Sequence, residues 1–89
     1  MPNRFDAKVA VVTGAGGGIG EAYARALHRE GASVVIADID EVGGARVAAE
    51  LGERALFVAT DVSDIMSTNA MAAAAVEAFG GIDHLVNNA

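Results

Sequence analysis

Several stretches of this sequence hold residue types that could bind a small molecule: Thr13-Gly14-Ala15-Gly16-Gly17-Gly18-Ile19-Gly20, the acid Asp38, the pair Asp61-Val62, and Asn87-Asn88-Ala89. The glycine cluster lies between a continuous apolar run, Val9 to Val12, and a helical pattern of Ile19, Ala22, Tyr23, Ala26 and Leu27. A strand-to-helix turn of this kind suits a phosphate. Glycine allows positive φ, and without a Cβ the backbone can approach a pyrophosphate closely. The unpaired N–H groups that open the helix then face the anion. A glycine-rich turn with no ligand is the competing reading.

Asp38 lies 18 residues past Gly20, close to the ~20-residue interval at which a dinucleotide fold sets a carboxylate on ribose hydroxyls. A carboxylate accepts from both ribose hydroxyls of NAD and repels the 2′-phosphate of NADP. Asp38 could instead serve as a strand-end turn residue, and Asp40 competes for the ribose role. Asp61 and Val62 fall past another apolar run, at a carboxyl strand end where open parallel sheets hold ligands. There an aspartate can accept from an adenine amino group, or it can simply cap the following helix, although Ser63 and Asp64 are better placed for that.

Spacing narrows the kind of nucleotide turn. A G-x-G-x-x-G pattern begun at Gly14 meets Ile19 where glycine is required, and one begun at Gly16 meets Glu21. A P-loop needs Gly-Lys-Ser/Thr, and no lysine follows Lys8. T-G-x-x-x-G-I-G does fit, with glycines 14, 18 and 20. This pattern, with a strand before it and a helix after it, resembles the short-chain dehydrogenase/reductase family. Asp61-Val62 and the terminal Asn-Asn-Ala, one residue short of the family's N-N-A-G, extend the resemblance over residues 7–89.

The elements that must position these residues alternate. The pattern predicts strands at 7–13, 34–38, 55–59 and from 82 to 86, with helices at 18–30, 41–51 and 64–79. Continuous apolar runs such as Val34-Val35-Ile36-Ala37 suggest strands covered by helices on both faces. Right-handed crossovers give the order 3-2-1-4, with the ligand crevice between strands 1 and 4. The expected fold is therefore α/β, a Rossmann-type doubly wound parallel sheet, incomplete in the part present. Tyr23 is expected on the buried stripe of the first helix, and Ala72, Ala75, Val76 and Phe79 on that of the third, with Met66 and Met71 as gap-fillers or surface residues. Gly43 and Gly44 are expected to leave the first turn of the second helix ragged. Glu21 stands four residues before Arg25 in the favourable orientation for a helix pair. His28 and His84 are expected on the surface, with no ligand-like spacing.

The resemblance implies an NAD-dependent oxidoreductase moving a hydride between nicotinamide and a small alcohol or ketone. It implies cofactor contacts from Gly14, Ala15, Gly16, Gly17, Gly18, Ile19 and Gly20, from Asp38 and Ile39, from Asp61 and Val62, and from Asn88 and Ala89, with Asn87 tying the last strand to its neighbours. NADP users of the family tend to carry Arg or Lys where this chain has Gly17 and Ile39. The family's serine and Tyr-x-x-x-Lys pair come after N-N-A-G. Tyr23 is the only tyrosine and Leu27 stands where its lysine would be, so no catalytic residue is expected in this chain. It reads as the N-terminal, cofactor-binding portion of one domain, inactive by itself, whose intact parent is expected to be a homo-oligomer. A non-catalytic NAD sensor or scaffold would share the same residues. An S-adenosylmethionine methyltransferase fits less well, since Thr13 stands where those enzymes usually carry an acid.

Bulk properties agree with that class. With 89 residues the chain is one small domain or part of one. Its net charge of −6 and six scattered Lys and Arg argue against nucleic-acid partners. No cysteine is present for disulfides or thiolate metal sites, and no metal site is expected. The longest apolar run, Ala70 to Val76, is well below the ~18 residues of a membrane span. The N-terminus lacks a signal-peptide apolar region, which makes the cytoplasm the default compartment.

Overall fold

In a computed structural model, residues 6–88 are described; the polar lead-in before them and the expected contact at Ala89 lie outside the described residues. The elements are β1 (Val9–Thr13), α1 (Gly18–Arg29), β2 (Ser33–Asp38), α2 (Glu41–Leu51), β3 (Ala55–Ala59), α3 (Ile65–Phe79) and β4 (His84–Val86). All strand pairs are parallel, in the order β3-β2-β1-β4. The registers Val11↔Val35 and Val12↔Ile36 hold β1 and β2 level, and Val12↔Val86 brings β4 to the other side of β1.

Successive strand residues point to opposite faces, so the continuous apolar runs feed two cores. Val12, Val34 and Ile36 pack with Ala24 of α1 and Val47 of α2. Val11, Val35 and Ala37 pack with Met71 and Ala75 of α3. Helices therefore cover both faces of the sheet, as the apolar runs require. No described helix is long and apolar enough to cross a membrane.

Several expectations are corrected. β1 starts at Val9 rather than at 7, because Ala7 takes a left-handed φ of 63°. The apolar stripe of α1 is only partly its buried face: Gly20 and Ala24 are buried and Leu27 packs against the core, whereas Tyr23 is 51% and Ile19 69% exposed. The cause is Gly20. A Cβ there would enter the Gly14 carbonyl, so the closest approach to the sheet belongs to the small-residue side of the helix. On α3, Met71 is buried and Val76 is 51% exposed, because that helix turns Met71, Ala75 and Phe79 toward β1, β2 and β3. His28 is half-buried, its Nε2 within 2.7 Å of the Glu53 carbonyl.

The first turn of α2 is regular. The Asp40 carboxylate accepts the Gly43 N–H at 3.0 Å, an N-cap contact that typically contributes about 1 kcal/mol. Across the same face, Glu21 joins both Arg25 and Arg46 at 2.8 Å, and Glu50 meets the same two arginines. This network ties α1 to α2 directly behind the glycine turn.

Candidate functional site

The carboxyl ends of β1, β2 and β3 open into one cleft of about 220 Å³, lined by Gly14, Ala37, Asp38, Ile39, Thr60, Asp61 and Val62. Its floor is backbone. The Gly14 N–H donates to the Ala37 carbonyl at 2.8 Å and the Thr60 N–H to the Asp38 carbonyl at 2.9 Å, which extends the sheet pairing past the strand ends. The cleft thus gathers residues from three of the four sequence clusters singled out above.

The glycine turn reaches the cleft through Gly14. Gly14 and Gly18 have φ of +66° and +59°, a left-handed region that side chains rarely adopt. Gly17, at the N-cap of α1, supplies no side-chain hydrogen bond to the helix, so the opening N–H groups are not claimed by a cap and suit an anion. Space beside Gly17 and Gly18 is open, with nothing within 4 Å of a Cβ built on either. Ala15 is buried in the core, and Ile19 projects outward rather than lining the cleft.

Asp38 and Asp40 separate by geometry. Asp38 lines the cleft, its Oδ2 accepting the Gly16 N–H at 2.7 Å and its Oδ1 the Asp40 N–H at 2.9 Å. Each carboxylate oxygen retains a lone pair for a further donor. The Asp40 carboxylate is turned to the α2 cap instead. Neighbouring Ile39 is 71% exposed at the cleft edge.

At the far wall, Asp61 Oδ1 accepts from the Ser63 hydroxyl at 2.6 Å and from the Ser63 N–H at 3.0 Å. Those bonds, the hydroxyl first, hold its carboxyl below the usual carboxylate value, so it stands as an ionised acceptor. Asp64 caps α3 by accepting the Met66 N–H at 3.0 Å, which leaves Asp61 free of the capping role.

The fourth cluster meets the turn through Thr13. The buried Thr13 hydroxyl accepts the Asn88 N–H at 2.9 Å and lies 3.2 Å from Asn87 Oδ1, to which it donates. Asn88 Nδ2 packs against Gly14, and a Cβ on Gly20 would come within 2.8 Å of it. Residues 75 apart in sequence are therefore joined at the switch between β1 and β4.

Sequence reasoning missed Ser67, whose hydroxyl accepts the Asp61 N–H at 2.9 Å and anchors that wall to α3. It also missed why α2 opens on two glycines. The only signal was the helix cost of two adjacent glycines, which calls for a packing reason without naming the partner.

A family model described as short chain dehydrogenase matches residues 8–89. An uncharacterized oxidoreductase of Mycobacterium tuberculosis is 61% identical over 88 residues, covering 96% of this chain and 36% of that protein. The crystal structure of a 3-ketoacyl-(acyl-carrier-protein) reductase from Brucella melitensis complexed with NADH superposes with a TM-score of 0.89 at 46% identity, over 91% of this chain and 33% of that one. A short-chain dehydrogenase/reductase from Burkholderia phymatum in complex with NAD gives 0.88 at 45% identity, over 91% and 30%. The chain thus spans about a third of the length of the relatives it matches.

Proposed function

This chain belongs to the short-chain dehydrogenase family, and from that premise we propose that it is the N-terminal part of a single Rossmann domain that binds NAD in an oxidoreductase acting on a small alcohol or carbonyl compound. The carrying observation is Asp38, an acid on the cleft wall, with Ile39 following it and Gly17 in the glycine turn where NADP users of the family tend to carry Arg or Lys. A negative group there favours ribose hydroxyls over a 2′-phosphate. Binding of NADH and NAD by two close structural relatives supports the choice.

In this reading Gly14 to Gly20 cradle the pyrophosphate, with Gly16, Gly17 and Gly18 nearest to it, Ala15 packed in the core behind the turn and Ile19 contributing through its backbone at the start of α1. Asp38 accepts from the adenosine ribose, and Ile39 flanks it. Asp61 accepts from the adenine amino group while Val62 meets the ring. Asn88 serves the second ribose, and Ala89, outside the described residues, is assigned to it by the family resemblance alone. The bound nicotinamide supplies the hydride donor or acceptor. This chain's residues bind and orient it, and the groups that move the proton belong to the remainder of the full-length protein. Tyr23 is excluded from that role: it lies on the outer face of α1, away from the cleft.

The test is calorimetric titration of the full-length protein with NADH and NADPH, followed by a panel of alcohols and ketones monitored by NADH absorbance. Tight NADH binding with turnover of at least one substrate class is expected. Failure to bind NADH would remove the reading, and binding without turnover of any alcohol or ketone would turn it toward a sensor.

A further inference from the structure

Glycine is among the least favourable helix residues, yet α2 opens with Glu41-Val42-Gly43-Gly44. The two glycines face different partners. A Cβ on Gly44 would be driven into the ring of Phe57, on the core side of β3. A Cβ on Gly43 would be driven into the carbonyl oxygen of Gly16, in the glycine turn, and would stand 2.5 Å from Asp40 Oδ2. Gly16 has no freedom to retreat. Its N–H is held by Asp38 at 2.7 Å, and a Cβ on it would stand 2.8 Å from that carboxylate and 3.0 Å from the Gly44 nitrogen. The Gly16 peptide is wedged between the end of β2 and the first turn of α2.

We propose that Gly43 is a positioning residue for the cofactor: by letting the first turn of α2 rest on the Gly16 peptide, it sets where the phosphate-facing turn stands over the cleft. This rests on the reading that the turn binds NAD. Gly43 does not line the cleft and acts through Gly16. Asp40 completes the device. Its carboxylate fixes the Gly43 N–H, and its own N–H is held by Asp38 Oδ1 at 2.9 Å, so α2, Asp38 and Gly16 move as a unit. Adding a methyl group at Gly43 displaces the turn, although alanine favours the helix.

The test measures the NADH dissociation constant and the apo melting temperature of the full-length protein and its variants. Gly43→Ala is expected to raise the NADH Kd of its folded fraction by about tenfold and to lower melting as well, since the added methyl meets the Gly16 carbonyl and the Asp40 cap. Gly44→Ala is expected to lower melting while its folded fraction binds NADH within about twofold of wild type. A folded Gly43→Ala that binds like wild type overturns the proposal, and a wild-type protein that does not bind NADH removes the cofactor reading beneath it. If Gly43→Ala does not fold, Asp40→Ala and Asp40→Ser decide. Loss of affinity in the alanine variant with recovery in the serine variant, which keeps a cap without the charge, supports the proposal; unchanged affinity in Asp40→Ala overturns it.

Discussion

Asp38 Oδ2 accepts the Gly16 N–H at 2.7 Å, so the acid proposed for the ribose also ties down the glycine turn. On the proposed reading, cofactor choice and turn geometry share one side chain. Replacing Asp38 would then remove the proposed ribose acceptor and slacken the turn together.

NADH is expected to bind the full-length protein more tightly than NADPH by at least about tenfold, or ~1.4 kcal/mol. In Asp38→Ala combined with Gly17→Arg the preference should narrow or invert, with weaker NADH binding as the turn loosens. Gly17 accepts the arginine because its φ of 178° is ordinary extended backbone and the space around it is open. Titration with both cofactors checks this, and an unchanged ratio in the double variant would remove Asp38 from its assigned role.

Glycines in the same turn should differ sharply in tolerance. Gly20→Ala pushes a methyl group into the Gly14 carbonyl and against Asn88 Nδ2, an overpacking cost of about 1–3 kcal/mol. Gly17→Ala meets nothing within 4 Å and should stay within about 0.5 kcal/mol of wild type. Chemical denaturation of the two variants measures the gap. Equal stability would mean that α1 does not sit on Gly14 as described.

Ser67→Ala should weaken NADH binding and cost about 0.5–1.5 kcal/mol of stability, the usual net value of one hydrogen bond. The Asp61 N–H loses its acceptor, and the wall holding Asp61 and Val62 is released from α3. Parallel denaturation and NADH titration test this. Wild-type values in both would show that Ser67 does not hold that wall.

Acid should erase the contribution of the α1–α2 network. Hydrogen bonds from Arg46 first and then Arg25 hold the Glu21 carboxyl below its ordinary 4.5, and Arg25 does the same for Glu50. A carboxyl depressed in the folded state stabilises fully above its unfolded value and loses that effect as pH falls through the folded value. Glu21→Gln should therefore melt below wild type at neutral pH, and the gap should close as pH is taken below 4.5 or as salt is raised. A gap that stays constant from neutral to acid pH would show that the difference does not come from the Glu21 charge.

What could be read along the chain was whatever depends on neighbours in sequence. The run Val9 to Val12 and its counterpart at Val34 to Ala37 disclosed buried parallel strands, because apolar residues on both faces require cover on both faces. Gly14, Gly18 and Gly20 disclosed the strand-to-helix turn through their spacing. Asp38 and Asp61 marked strand ends that line the cleft, because a parallel sheet gathers its carboxyl ends on one edge, but the cleft opens over β1, β2 and β3 and not between strands 1 and 4 as the crossover argument expected. The orientation of each helix about its axis was not legible in that way. Ile19 and Tyr23 form a plausible inner stripe on α1, but Gly20 lies against Gly14 and rolls them outward. Met71 displaced Val76 on α3 for a similar reason, since the core residue is the one that meets Val11 and Val35. Gly43 looked like a flaw in a helix until Gly16 was found opposite it, 27 residues away in sequence. Periodicity states that a helix has an apolar side. Which side seats is set by the backbone across the gap, where a single β-carbon is enough to forbid contact.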